Sequence, residues 1–179
     1  MSRALSLCLW FMVAATAACS SPTIGYDFDS RVDFQTYRTY EWLTDAQEVT
    51  GDRRLDNSLV DTRIRSAIGT ELRSKGYRVS GGTKPDFFVA YHVKLNDMMK
   101  GTSTQNYIGD RAHGTYTTIS DIESYREGTL LLDIVDAASM QLVWRGSALS
   151  EVDMGMTPEE RNARITRAVR GMLTHFPPK

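Results

Sequence analysis

The sequence predicts an α+β fold: a mostly antiparallel sheet with two helices packed on one face. Three observations carry this expectation. Residues 87–95 alternate at period two, with Phe87, Val89, Tyr91, Val93 and Leu95 on one side, which marks a strand with a buried face. Two stretches, beginning near Ser58 and Thr157, repeat apolar residues at helical spacing behind N-terminal capping residues. Residues 129–147 read as two apolar strands joined by a short turn, with Trp144 in the second. Amphipathic helices and a half-buried sheet cover their apolar faces most economically by packing on each other.

Taken in order, Ile24 to Phe28 and Thr39 to Leu43 are short strands rich in aromatic and β-branched residues. Thr44 to Asn57 is polar and unpatterned, hence a loop. Ser58 then reads as an N-cap, and Leu59, Val60, Ile64, Ala67, Ile68 and Leu72 form the inward stripe of a helix that stops at Gly76. Asp61 and Arg65, four apart, form a surface pair on its outer side. From Asn96 to Glu127 the alternation weakens around Gly101, Gly109 and Gly114, so this stretch reads as a long loop or an irregular hairpin. Asp136-Ala137-Ala138-Ser139 is a turn begun by the aspartate. Thr157-Pro158-Glu159-Glu160 supplies an N-cap, a proline at the first helical position and a capping-box glutamate. Ile165, Ala168, Val169 and Met172 face inward from that helix, and Phe176-Pro177-Pro178 ends it.

The N-terminus carries a different message. Met1-Ser2-Arg3 precedes an uncharged, mostly apolar run to Ala18, followed by Cys19-Ser20-Ser21-Pro22, the pattern of an export signal. The strongly apolar part is short for a stable membrane-spanning helix, which needs about 20 residues. Two other readings stay open, an uncleaved anchor and ordinary cleavage after Ala17. Three segments follow: a signal peptide over 1–18, Cys19 with a short tether to 23, and one α+β domain over 24–179. Without residues 1–18 the chain keeps 20 basic and 22 acidic side chains, a net charge of −2. That balance argues against a nucleic-acid partner, which calls for a basic surface. Both cysteines, Cys8 and Cys19, lie in the first nineteen residues, so the domain holds neither a disulfide nor a cysteine metal site.

Thr16-Ala17-Ala18-Cys19 resembles a bacterial lipobox, with Thr16 where leucine is commoner. The resemblance implies a lipid-modified, N-acylated (palmitate-bearing) Cys19 and attachment to a membrane. Ser20 in the next position resembles lipoproteins sorted to the outer membrane, facing the periplasm. Further segments are similar to the DUF4136 family of uncharacterised bacterial lipoproteins. They are Tyr26-Asp27, the run Phe34 to Trp42, Ile64 to Ile68 leading to Lys75-Gly76-Tyr77, Pro85 to His92, Gly128 to Leu130 with Asp133 to Asp136, Leu142 to Gly146, and Phe176-Pro177-Pro178. The likeness spans about Ile24 to Pro178 in the right order. It implies an envelope lipoprotein with an α+β fold, and it brings no catalytic residues.

No catalytic signature stands out. His92, His113 and His175 are not at metal-ligand spacing, and no nucleophile elbow, phosphate-binding glycine loop or acylation motif occurs. The expectation is a protein that is not an enzyme and needs no cofactor or metal. Tyr37, Tyr40, Trp42 and Trp144 could line a groove, but aromatic residues in sheets are more often core. The better candidate for partner contact is the segment from 96 to 127, where Met98, Met99, Tyr107 and Tyr116 supply apolar side chains. Two readings of function follow. An interaction module, binding a protein or another envelope component, predicts an exposed apolar patch or an open sheet edge without a deep polar pocket. A carrier of a small amphipathic ligand predicts an apolar cavity of roughly 300 Å³ or more between sheet and helices.

Overall fold

The computed structural model describes residues 21–43, 57–108, 115–153 and 155–179. Along the chain follow β1 (Thr23–Phe28), a 3₁₀ turn (Phe34–Thr36), β2 (Thr39–Trp42), α1 (Ser58–Ser74), β3 (Arg78–Val79), β4 (Phe87–Ile108), β5 (Thr115–Asp136), β6 (Leu142–Glu151) and α2 (Pro158–Leu173). The loop expected after Leu43 lies outside the described residues, apart from Asn57 at its end.

Among the described residues one six-stranded sheet runs in the order β1-β6-β5-β4-β2-β3. The pairs β1/β6, β6/β5 and β5/β4 are antiparallel, whereas β2 lies parallel to both β3 and β4. Parallel neighbours need a crossover, and α1 supplies it between β2 and β3. The sheet is thus mostly antiparallel and the fold α+β, as the sequence predicts.

Both helices lie on the side of the sheet to which Phe87, Val89, Tyr91, Leu130, Leu132, Ile134 and Trp144 point. Ile64, Ile68 and Leu72 of α1 and Val169, Met172 and Leu173 of α2 meet them in the core. An aromatic cluster closes one end: Phe34, Tyr77, Phe87 and Trp144 all stand 5.3–5.9 Å, centroid to centroid, from Phe176. Tyr37, Tyr40 and Trp144 are therefore core residues and Trp42 packs at its margin, in line with the usual place of aromatics in sheets. Gly146 lets β6 run close beneath this cluster, since a Cβ there would lie 2.5 Å from the Trp144 ring.

The helix starts follow the capping logic with one correction. The N-cap of α1 is Asn57 rather than Ser58, because the Asn57 side chain accepts from the amides of Leu59 and Val60. Thr157 and Glu160 form the expected reciprocal capping box at α2. Gly76, at φ +92°, adopts the left-handed conformation just past α1 that glycine accommodates without strain.

The larger correction concerns residues 96–127. Of the two readings, loop or irregular hairpin, the hairpin holds, but it is regular: residues 96–108 and 115–127 continue β4 and β5 as a ladder in unbroken register from Phe87↔Asp136 to Ile108↔Thr115. Each strand is 22 residues long. The pairing of β5 with β6 ends at Glu127↔Glu151, so the twelve rungs from Asp97↔Arg126 to Ile108↔Thr115 project past the sheet as a free two-stranded arm. At about 3.3 Å per residue the arm is about 40 Å long. Thr23 pairs with Leu149, which pairs with Thr129, so β1 begins at the same end of the sheet from which the arm projects.

Candidate functional site

At that end the two layers do not close. An open cleft of about 470 Å³ lies between the first turns of α1 and α2 and the last rungs of the sheet body. Ile64, Val93, Leu130, Ala148, Ile165 and Ala168 form its deep walls, with Leu59, Leu95, Val152 and Met156 further out. The cause lies in side-chain size. Ala148 and Ala168 face each other's elements with one methyl group apiece, and Gly128 presents none. Gly128 has its own constraint, for Val152 covers it so closely that a Cβ would meet Val152 Cγ2 at 2.7 Å. Lower down, where Leu132, Ile134, Leu72 and Met172 meet, the same interlayer space is filled.

Polar contacts hold both helical walls. On α1, Asp61 accepts from Arg65 Nε at 2.7 Å and from the Tyr91 hydroxyl at 2.5 Å, and the Arg65 guanidinium lies 4.5 Å from the centre of the Trp42 ring. The expected Asp61–Arg65 surface pair thus belongs to a half-buried network that ties α1 to β4 and β2. Burial alone would raise the Asp61 carboxyl, but the hydrogen bonds from Tyr91 and Arg65 outweigh it and hold it below its ordinary value. Burial and the Asp61 carboxylate together push the Tyr91 hydroxyl well up. On α2, Arg164 donates from Nη1 to the carbonyl of Glu151. Arg170 bridges the helices, donating to Glu71 at 2.9 Å.

The cleft lining is also charged. Arg63, Arg161 and Arg164 line it with half-buried or exposed side chains, against one acidic residue, Asp153. Asp153 already accepts the amide of Gly155 at 2.7 Å.

The arm carries the four residues expected to contact a partner, and it divides them. Alternation along an unbroken ladder puts Met99, Tyr107 and Tyr116 on the face that continues the helix side of the sheet, and Met98 on the other. Ile122, opposite Gly101, joins the first three; Met99, Ile122 and Tyr116 are 70–81% exposed. Tyr107 and Tyr116 pair directly, their rings 5.2 Å apart.

On the opposite face of the sheet, Asp133 is 5% exposed and accepts both Nε and Nη2 of Arg145 at 2.6 Å, with His92 Nε2 at 3.6 Å. His175 stacks on Tyr26 at 4.2 Å, far along the chain from His92. Among the described residues no three His, Cys, Asp or Glu side chains group to hold a metal ion. No described helix is long and apolar enough to cross a membrane. His113 and Cys19, with the signal segment before it, lie outside the described residues.

A two-layer α+β domain, with an apolar cleft between its layers and a long β-arm beside it, defines the class of this protein. The chain belongs to the DUF4136 family, a domain of unknown function whose family model matches residues 24–178. The fold is similar to a DUF4136 family protein from Bacteroides thetaiotaomicron, with a TM-score of 0.54 and 15% identity over 88% of this chain and 97% of that one. A PDZ domain protein from Parabacteroides distasonis is also similar, with a TM-score of 0.58 and 16% identity over 87% of this chain. There the chain spans only 35% of the other protein's length. At such identities the likeness concerns the fold alone. No curated protein matches the chain.

Sequence reasoning named such a cleft only as what a carrier would require and assigned no residues to it. Its walls were legible as helix stripes and strand faces, but not the failure of those faces to meet. The available signal was the small residues Gly128, Ala148 and Ala168 at inward positions on three different elements.

Proposed function

We propose that this protein is a cell-envelope lipoprotein, exported by its first 18 residues and held on a membrane by lipid on Cys19. Its domain acts without catalysis, by holding the apolar part of an amphipathic envelope component in the interlayer cleft. Ser20 supports sorting to the outer membrane, with the domain facing the periplasm. The observation that carries the reading is the cleft: about 470 Å³, walled largely by aliphatic side chains, at one end of the packed core. Small-molecule sites run from roughly 300 to 1,000 Å³, mostly apolar with a few polar groups. Each methylene moved from water into such a site is worth about 0.8 kcal/mol, so a chain of about ten supplies about 8 kcal/mol before the cost of association.

The cleft supports this ligand-holding role, which we place ahead of docking to a protein. The second reading keeps one specific support, the row Met99, Ile122, Tyr107 and Tyr116 on one face of an arm whose edges pair with no other strand among the described residues. Mass spectrometry of organic extracts from the purified full chain tests the first reading. A defined amphiphile, retained near one per chain and lost in Ala168→Trp, is the expected result. An extract indistinguishable from bulk membrane lipid in both proteins would refute it. For the anchor, Cys19→Ala should shift the chain from the membrane to the soluble fraction.

A further inference from the structure

Building on the reading of the cleft as a chain-binding site, we infer that its ligand is an anionic single-chain amphiphile. The acyl chain lies among the aliphatic walls and the anionic head group is held by Arg63, Arg161 and Arg164. Three arginines, Arg63 of α1 with Arg161 and Arg164 of α2, line the cleft, and Asp153 is the one acidic residue among the described lining. Their aliphatic stems add to the apolar walls while the charged ends stay at the solvent side. Arg63 makes no ion pair among the described residues, so its charge is available to a ligand. Arg164 uses Nη1 on the Glu151 carbonyl, and a guanidinium carries five N–H donors in all. The planar fork of arginine matches carboxylate and phosphate oxygens, which makes it the side chain suited to such heads. An alcohol head would leave the Arg63 charge unanswered, and an ammonium head would be repelled by it. The volume lies in the lower half of the small-molecule range, which suits one chain rather than two.

The test uses the full chain in phosphatidylcholine vesicles and three photoactivatable twelve-carbon probes of equal chain length. They end in a carboxylate, an alcohol or a trimethylammonium group, and labelling is done at a pH where the carboxylate is ionised. The carboxylate should label peptides from the starts of α1 and α2 about tenfold more than the alcohol, equivalent to about 1.4 kcal/mol of head-group recognition. The variant carrying Arg63→Gln, Arg161→Gln and Arg164→Gln should bring the carboxylate down to the alcohol's level. Ala168→Trp, which fills the cleft, should abolish labelling by both. Val60→Trp, at a half-buried wall position, provides the same block should Ala168→Trp fail to fold. Equal labelling by carboxylate and alcohol, blocked by a tryptophan variant, would overturn the anionic assignment and leave the cleft reading standing. Labelling that neither tryptophan variant lowers would overturn both.

Discussion

Gly146 offers a stringent test of how the sheet and α2 fit together. Its strand neighbour two positions back, Trp144, turns its ring along the same face, so that a Cβ on residue 146 would stand 2.5 Å from Trp144 Cη2 and 3.0 Å from Met172 Cβ. Neither neighbour can yield cheaply. Trp144 is 1% exposed, donates its indole N–H to the His175 carbonyl at 3.2 Å and packs on Phe176. Met172 Cβ belongs to the body of α2, so relieving that contact means moving the helix. Overpacking a filled core by one methyl costs about 1–3 kcal/mol, and two immobile neighbours place Gly146→Ala at about 2–3 kcal/mol. For a domain of this size each kcal/mol lowers Tm by about 2–4 °C, so the melt should fall by about 4–12 °C. Urea unfolding followed by tryptophan fluorescence should show a lower midpoint at unchanged slope. Gly101→Ala is the matched control: no atom lies within 4 Å of its would-be Cβ, and its effect should stay within about 0.5 kcal/mol. If the two variants unfold alike, the packing of β6 under α2 is not as described.

Three further outcomes follow from other parts of the structure. Arg145→Met strands the nearly buried Asp133; removing one partner of a buried pair costs about 3–5 kcal/mol, and the 45% exposure of the arginine side chain reduces this to about 2 kcal/mol. Adding Asp133→Leu should recover much of the loss in a double-mutant urea series; a double variant no more stable than Arg145→Met would contradict this. Acid should destabilise the fold through Asp86 and Asp136. Burial alone would raise both carboxyls, but hydrogen bonds to Asp86 from Thr39 and Arg38, and to Asp136 from Ser139, Tyr37 and Ala138, hold both below 3.8. Groups depressed in the folded state contribute stability that is present above their unfolded value and lost as pH falls through the folded one. The urea midpoint should therefore hold level from neutral pH down to about pH 5 and decline below about pH 4, less so in Asp86→Asn. A midpoint unchanged down to about pH 3 would contradict the assignment. Finally, joining Met98 to Tyr125 by Asn-Gly should remove the arm and leave Tm within about 4 °C, because none of the described residues between 98 and 125 belongs to the core. A collapse of the melt would mean that the arm supports the body.

Much of this architecture could be read from the chain because local chemistry and tertiary demand agree. Thr157-Pro158 and Glu160 start α2 where their capping groups require, Gly76 ends α1, and the alternation of Phe87 to Leu95 declares its buried face. The arm was harder to read because its residues never meet a core. Serine, threonine and charged side chains suit a strand exposed on both faces as well as they suit a loop, and only pairing with the partner strand decides between them. The parallel placement of β2 beside β4 was equally hidden, since two short strands do not announce their partners. Leu59 shows the same limit at the cleft: its spacing assigns it to the buried stripe of α1, yet it lines the open cleft and is 65% exposed.

The shared exit of β1 and the arm has a consequence for posture. From Cys19 to Thr23 an extended chain reaches at most about 14 Å, whereas the arm's tip stands about 45 Å beyond the level of Thr23, at Lys94 in the β4 register. A body moored at Cys19 could not stand upright with its arm clear of the mooring plane. It would have to lean until the arm lay along that surface, or let the tip with Tyr107 and Tyr116 cross into it. The cleft opens at this same end. Were the chain anchored at Cys19 as proposed, short leash and long arm would together turn the opening toward that surface, and the tether would set aim as well as attachment.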